Sequence, residues 1–227
     1  MSFKVIKANV LAANDDVAGK IREMLAKTGT YMINIISSPG AGKTSFLEKV
    51  GPMLRREKIS FIIVTGDCFT SRDAERMDKL KLPVVQINTG NGCHIDAGLI
   101  KKSLKGTDLK KTDLVIVENV GNLICPAEFD VGEDAKIAFL STAEGADKPL
   151  KYPLLFRESK LAVINKVDLL KYVDFNLLFC VKNINNINSG LKILKVSCKT
   201  GEGLGGFVKW IVSEIRNKKT RKKGVSR

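Results

Sequence analysis

Residues 37–45 read SSPGAGKTS, directly after the apolar run YMINIIS (31–37) and directly before a helix-forming stretch at 44–56. This nearly fills the phosphate-binding template G-x-x-x-x-G-K-[ST], the one departure being Ser37 at the first glycine position. Gly40 and Gly42 let the backbone turn tightly, so that N–H groups of Ser38, Ala41 and their neighbours point inward at a phosphate. Lys43 adds a cation, Thr44 a hydroxyl for Mg²⁺, and Ser45 continues the loop into a helix whose N-terminus carries a positive dipole end. Strand, loop and helix in this order predict a nucleoside triphosphate site.

The same alternation continues outward. Val- and Ile-rich runs recur at 59–66, 82–88, 113–119, 136–142, 161–166 and 191–197, with helical patterns at 15–27, 71–80, 95–105, 203–217 and, more weakly, 174–187. The runs lack clean alternation, as strands buried on both faces do. The expected fold is α/β: a doubly wound, mostly parallel sheet of about seven strands flanked by helices. Residues 1–215 would form a single GTP-binding domain with an N-terminal helical extension, and 216–227 a basic, disordered tail. Ligands in such sheets bind at the carboxyl ends of the strands.

The base follows from INKVDLL (164–170). A carboxylate at Asp168 accepts from both N1–H and the exocyclic amine of guanine, a pairing adenine does not offer. Asn165 and Lys166 precede it in the Asn-Lys-x-Asp pattern. SCKTGEG (197–203) resembles the Ser-Ala-Lys loop that lies against the base in GTPases, with Ser197 and Lys199 kept and Cys198 in place of alanine. GTP is therefore expected rather than ATP. Asp67 and Glu118 end two strand-like runs and offer oxygen ligands to Mg²⁺, directly or through water. Asp73 is read as opening the next helix. Glutamine is absent from the stretch after Glu118, so no water-orienting residue of the Ras kind is expected and turnover should be slow.

Composition narrows the setting. The 227 residues are 44% hydrophobic and 27% charged, and contain no apolar run of the roughly 18 residues a membrane span needs. Acidic residues enter the N-terminus too early for a secretory leader. Five dispersed cysteines do not make a disulfide framework, so a reduced, cytoplasmic protein is expected. The net charge is +14, half of it from the seven Lys/Arg of residues 216–227. No aromatic side chain interleaves them, so nucleic acid is not expected as a partner.

The only histidine lies beside a cysteine, Cys93-His94 in NTGNGCHIDA, and ENVGNLICPAEFDVGED places Cys125 before Pro126. Two thiolates and an imidazole suit Ni²⁺ or Zn²⁺ and leave a fourth position open. SSPGAGKTS, VTGDCFTSRDAER, QINTGNGCHIDA, ENVGNLICPAEFDVGE, DKPLKYP, INKVDLL and SCKTGEGL together, and in order, resemble the hydrogenase nickel-incorporation GTPases (HypB) of the SIMIBI class. The resemblance spans residues 12 to 212. It implies GTP hydrolysis coupled to nickel delivery, a GTP-dependent homodimer with an interface metal site, a second nickel-binding accessory protein and a hydrogenase large-subunit precursor as client. It assigns Cys93, His94 and Cys125 to that metal, Lys43 and Thr44 to phosphate and Mg²⁺, Asp67 to the switch region, and Asn165 and Asp168 to guanine. The cysteine-rich and histidine-rich storage segments of some members are missing from this sequence, so high-capacity storage is not expected. Cys68, Cys180 and Cys198 are read as small packed residues. The rivals are a urease-type nickel-insertion GTPase, which carries Cys-Pro-His where this chain has Gly-Cys-His, a P-loop kinase acting on a small molecule or RNA, and a non-enzymatic dimer using GTP structurally.

Overall fold

The computed structural model describes residues 10–67 and 72–225. Seven strands form one sheet: β1 (Tyr31–Ile36), β2 (Phe61–Asp67), β3 (Val84–Asn88), β4 (Leu114–Glu118), β5 (Ala135–Ser141), β6 (Ser159–Asn165) and β7 (Lys192–Lys195). Their order is β3-β2-β4-β1-β5-β6-β7 and every pairing is parallel. The helices are α1 (Val10–Thr28), α2 (Lys43–Arg56), α3 (Arg72–Lys79), α4 (Ala97–Ser103), α5 (Cys125–Glu128), α6 (Lys148–Lys151), α7 (Pro153–Glu158), α8 (Leu177–Ile187) and α9 (Leu204–Val225). No helix among the described residues is long and apolar enough to cross a membrane.

The central strand explains the missing alternation. Every residue of β1 is buried. Tyr31, Ile33 and Ile35 join a core with α2 and α9, where Phe46 meets Phe139 and Phe207 edge to face at 5.2 and 4.8 Å. Met32 faces the opposite layer, against α1 and α4, and Ile36 a third cluster under α7 and α8. Because β1 lies between β4 and β5, the loops leaving β1 and β4 emerge side by side at the carboxyl edge. Chain direction across the sheet reverses there, which is where α/β sheets open a crevice.

One position of β1 is polar. Asn34 is fully buried; its Nδ2 donates to Glu133 Oε1 at 3.3 Å and its Oδ1 accepts from Asn119 Nδ2 at 3.1 Å. Burial pushes the Glu133 carboxyl up to about 7; Lys136 works against this and the neighbouring Asp130 adds to it. The folded chain therefore holds this proton more tightly than the unfolded one. Glu133 contributes most to stability below its unfolded pKa, and the contribution falls as pH rises toward 7, by up to about 1.4 kcal/mol per pH unit. Glu133→Gln should remove that fall from the melting temperature between about pH 5 and 7. Parallel curves for the two proteins would disprove it.

Three departures from expectation have local causes. Helix α1 starts before residue 15, the expected first turn. The short helices α5, α6 and α7 were not expected; each carries Pro in its first turn and is too short to show a period. The stretch 216–225, expected to be a disordered tail, instead continues α9 as helix. Lys218 reaches both Asp134 oxygens at 2.8 and 2.6 Å, and Lys219 pairs with Asp113, so two of the tail's cations are anchored to the starts of β5 and β4.

Candidate nucleotide and metal site

The loop after β1 carries the geometry its residues require. Gly40 and Gly42 have φ of +75° and +100°, left-handed values that favour glycine. A Cβ on Gly42 would also come within 2.7 Å of Asn165 Nδ2. Helix α2 has no side-chain cap, so its first N–H groups remain available to an anion. Lys43 folds back and donates to Ser37 Oγ at 2.7 Å, which gives the serine at the first glycine position a purpose. Burial lowers the Lys43 pKa, while Glu118, Asp73 and Glu144 pull it back up. Ser38 Oγ accepts from Lys148 at 3.4 Å, and Ser45 Oγ from Arg76 at 3.1 Å.

Thr44 Oγ1 donates to Glu118 Oε1 at 2.7 Å, and Thr65 Oγ1 to Glu118 Oε2 at 3.2 Å. Glu118 is 2% exposed, and burial raises its pKa against the opposing effects of Lys43 and Thr44. Thr44 and Glu118, with Lys43 and with Asp67 at the end of β2, line a cleft of about 680 Å³. Asp73 stands in the first turn of α3, as expected, and also lines the cleft. The hard oxygen donors Thr44, Asp67 and Glu118 suit Mg²⁺. Cys68 and residues 69–71 lie outside the described residues, so the packed reading of Cys68 does too.

A smaller cleft of about 440 Å³ adjoins the first, sharing Gly42, Ser45 and Lys166, and is lined by Asp168, Cys198 and Lys199. Asp168 Oδ1 accepts from Ser197 Oγ at 2.5 Å, which orients the carboxylate. Asn165 is used differently. Its Nδ2 donates to the Ala41 carbonyl at 3.0 Å, and its Oδ1 accepts from the Cys198 N–H at 3.3 Å. It thus ties the phosphate loop to the loop at 197–199, with both ends of its amide committed to that joint. Lys166 reaches the Gly40 carbonyl at 2.8 Å. Cys180 is fully buried, as read; Cys198 is partly buried and packed against the core under α2 and α9, as read, and it also lines this smaller cleft with its sulfur 3.3 Å from Asn165 Oδ1.

The metal candidates converge. The ligand atoms of Cys93, His94 and Cys125 all lie within 4.8 Å of one another, and no other such group of three or more occurs among the described residues. Bond lengths of about 2.3 Å to sulfur and 2.0 Å to nitrogen give tetrahedral edges of roughly 3.5–3.8 Å, so a modest contraction closes the trio on an ion. Cys93 Sγ is already 3.5 Å from His94 Nδ1. The His94 ring packs on Phe129 at 3.9 Å, and burial lowers its pKa against the pull of Asp96, favouring the neutral, ligating imidazole.

Glu118 and Cys125 share one loop in the sequence, and that loop joins the two sites through contacts no motif marks. Asn119, beside Glu118, accepts from the Ile95 N–H at 3.0 Å, and Asn122 Nδ2 donates to the Cys93 carbonyl at 3.3 Å. Gly121 lies against the phosphate loop, where a Cβ would meet the Pro39 nitrogen at 2.9 Å. The segment from Glu118 to Cys125 therefore touches the phosphate loop, holds the Cys93–His94 loop and supplies a candidate ligand. Both asparagines lie inside the quoted ENVGNLICP stretch, but nothing in their spacing marks them as links.

Residues 31–195 match the family model "CobW/HypB/UreG, nucleotide-binding domain". The hydrogenase maturation factor HypB of Azotobacter vinelandii is 41% identical over 206 residues, covering 91% of this chain and 68% of the relative. The crystal structure of HypB from Helicobacter pylori in complex with nickel superposes with a TM-score of 0.85 at 34% identity, covering 90% of this chain and 96% of that one. HypB from Archaeoglobus fulgidus superposes at 0.83 with 35% identity, covering 90% and 100%.

Proposed function

Since the chain belongs to the CobW/HypB/UreG nucleotide-binding family, as a HypB-type hydrogenase maturation factor, we propose that it is a GTP-hydrolysing metallochaperone delivering nickel during nickel–iron hydrogenase maturation. It acts in the cytoplasm as a GTP-dependent homodimer whose interface holds the Cys93–His94–Cys125 site. A second nickel-binding accessory protein hands nickel on or receives it, and the hydrogenase large-subunit precursor is the client. The observation that carries the reading is the trio of soft ligands at the end of the segment that begins at Glu118.

The residues divide the work. Lys43 and the N–H groups of the loop neutralise the phosphates, and Asp168, with Ser197 behind it, selects guanine. Thr44 and Asp67 would hold Mg²⁺, which would supply positive charge for the departing phosphate oxygens. Glu118 orients the Thr44 hydroxyl and positions the water or the ion. A water oxygen attacks the γ-phosphorus as the bond to the β–γ bridging oxygen breaks, giving GDP and phosphate. Because no glutamine helps, the step is slow.

Coupling requires that each ligand prefer one of two arrangements of a shared element. The γ-phosphate meets residues 118–121, and the metal meets Cys125 together with the loop held by Asn119 and Asn122. Loss of the γ-phosphate then loosens the metal site and the dimer together. Measuring molar mass and nickel affinity with GDP and with a non-hydrolysable GTP analogue tests this. The analogue should favour the dimer and change nickel affinity by roughly 5- to 150-fold, the usual range of allosteric coupling. Equal mass and equal affinity in the two states would refute the reading.

A further inference from the structure

Asn14, near the start of α1, is 9% exposed and belongs to none of the sequence motifs. Both ends of its amide are engaged. Oδ1 accepts from the Ala97 N–H at 3.0 Å, and Nδ2 donates to the Asp130 carbonyl at 2.7 Å. Ala97 follows Cys93 and His94 in one loop; Asp130 follows Cys125 in the other. A single side chain from a third element thus bridges the two segments that carry the metal trio.

The surroundings make this bridge stiff. Ala97 is fully buried and opens α4, so its N–H has no partner within that helix, and Asn14 supplies the acceptor. Asp96, the preceding residue, caps Leu99 N–H at 2.7 Å and does not serve Ala97. On the Cys125 side, Arg22 donates to Asp130 Oδ2 at 2.6 Å. A Cβ on Gly132 would come within 2.7 Å of the Ala18 carbonyl oxygen, so α1 lies against this segment without slack. Ala18, Ile21 and Leu25 pack with Ile100 and Leu104, which binds α1 to α4 as well.

We infer that Asn14 is a positioning residue for the metal centre. Helix α1 acts as a splint that sets the spacing between the Cys93–His94 loop and Cys125, and releasing it separates the ligands while the nucleotide cleft stays intact. The inference rests on the trio being a metal site for a soft or borderline divalent cation. Outer partners of metal ligands commonly govern affinity in this way.

The test uses the full chain and Co²⁺ as probe, read by titration and by the sulfur-to-cobalt charge-transfer absorption. Asn14→Leu removes both bridging hydrogen bonds, along with a long one of 3.5 Å to the neighbouring Asp15. Asn14→Asp keeps the acceptor for Ala97 but sets a carboxylate against the Asp130 carbonyl, and it carries the test if the leucine variant does not fold. Both should bind Co²⁺ about 10- to 100-fold more weakly with an altered absorption band, and bind GTP analogue as the parent does. Ile21→Val, which loosens α1 without touching the amide, should keep the parent's affinity and band. Parent-like cobalt binding by the Asn14 variants overturns the inference, as does an equal loss in Ile21→Val, which would mark the role as structural. If Cys93→Ala and the parent titrate alike, the metal reading itself has failed, and the inference falls with it.

Discussion

Cys125→Ala and Cys93→Ala should each lose at least about 100-fold in affinity for nickel or zinc, beyond the cost usual for removing an outer partner. GTP affinity should stay nearly unchanged. The expectation follows from the gathering of all three ligand atoms within 4.8 Å, in a cluster that adds no side chain to the phosphate or base clefts. Removing one thiolate leaves two protein ligands, too few to hold a tetrahedral ion against water. Packing is little disturbed, since Cys93 is exposed and Cys125 only partly buried. Isothermal titration with metal and with a GTP analogue, on the same preparations, separates the two effects. Metal binding equal to the parent's in both variants would remove the metallochaperone reading and leave a GTPase.

Asp168→Asn should weaken GTP binding by about 10²- to 10⁴-fold, the equivalent of two hydrogen bonds to a charged group at about 1.5–3 kcal/mol each. Placed against guanine, the carboxylate would accept from the N1–H and the exocyclic amine, and Ser197 Oγ at 2.5 Å holds it in place. An asparagine there presents an N–H to one of those donors, so a bond is replaced by a repulsion. The same N–H suits xanthine, which carries an oxygen where guanine has its amine, so xanthosine triphosphate should bind the variant better than GTP does. Fluorescence titration with labelled GTP and xanthosine triphosphate reads both changes. Unaltered GTP affinity would mean that the 440 Å³ cleft is not the base site. Asn165 makes the contrasting case. Its amide is committed to Ala41 and Cys198, so altering it should disturb the joint between the phosphate and base loops before it alters base preference.

Much of this molecule was legible in the chain because the signals are local. The Gly-Ala-Gly-Lys-Thr run needs only its neighbours to form its turn, and seven apolar runs buried on both faces announce a parallel sheet. Asn-Lys-x-Asp and the loop at 197 each declare themselves within a few residues. Cys93-His94 and Cys125 were visible as metal-ligand types, and the sheet order, which sets only β2 between β3 and β4, brings them together. Short helices opened by proline escaped notice because fewer than two turns show no period. The basic stretch after residue 215 read as a free tail because charge alone does not reveal that Asp134 and Asp113 lie within reach.

The amino-acid order by itself determined the sheet and the phosphate loop, and pointed to guanine and to Cys93, His94 and Cys125 as candidate metal ligands. Only the tertiary structure decided how these parts are held to one another: Asn34 and Asn119 meeting across the central strands, Asn14 spanning both metal loops, Asn165 facing the phosphate loop. The physical reason is one of range. A turn or a strand is set by residues a few places apart, whereas an asparagine acquires its role from partners such as Asp130, 116 positions from Asn14. No periodicity or composition records a contact of that separation.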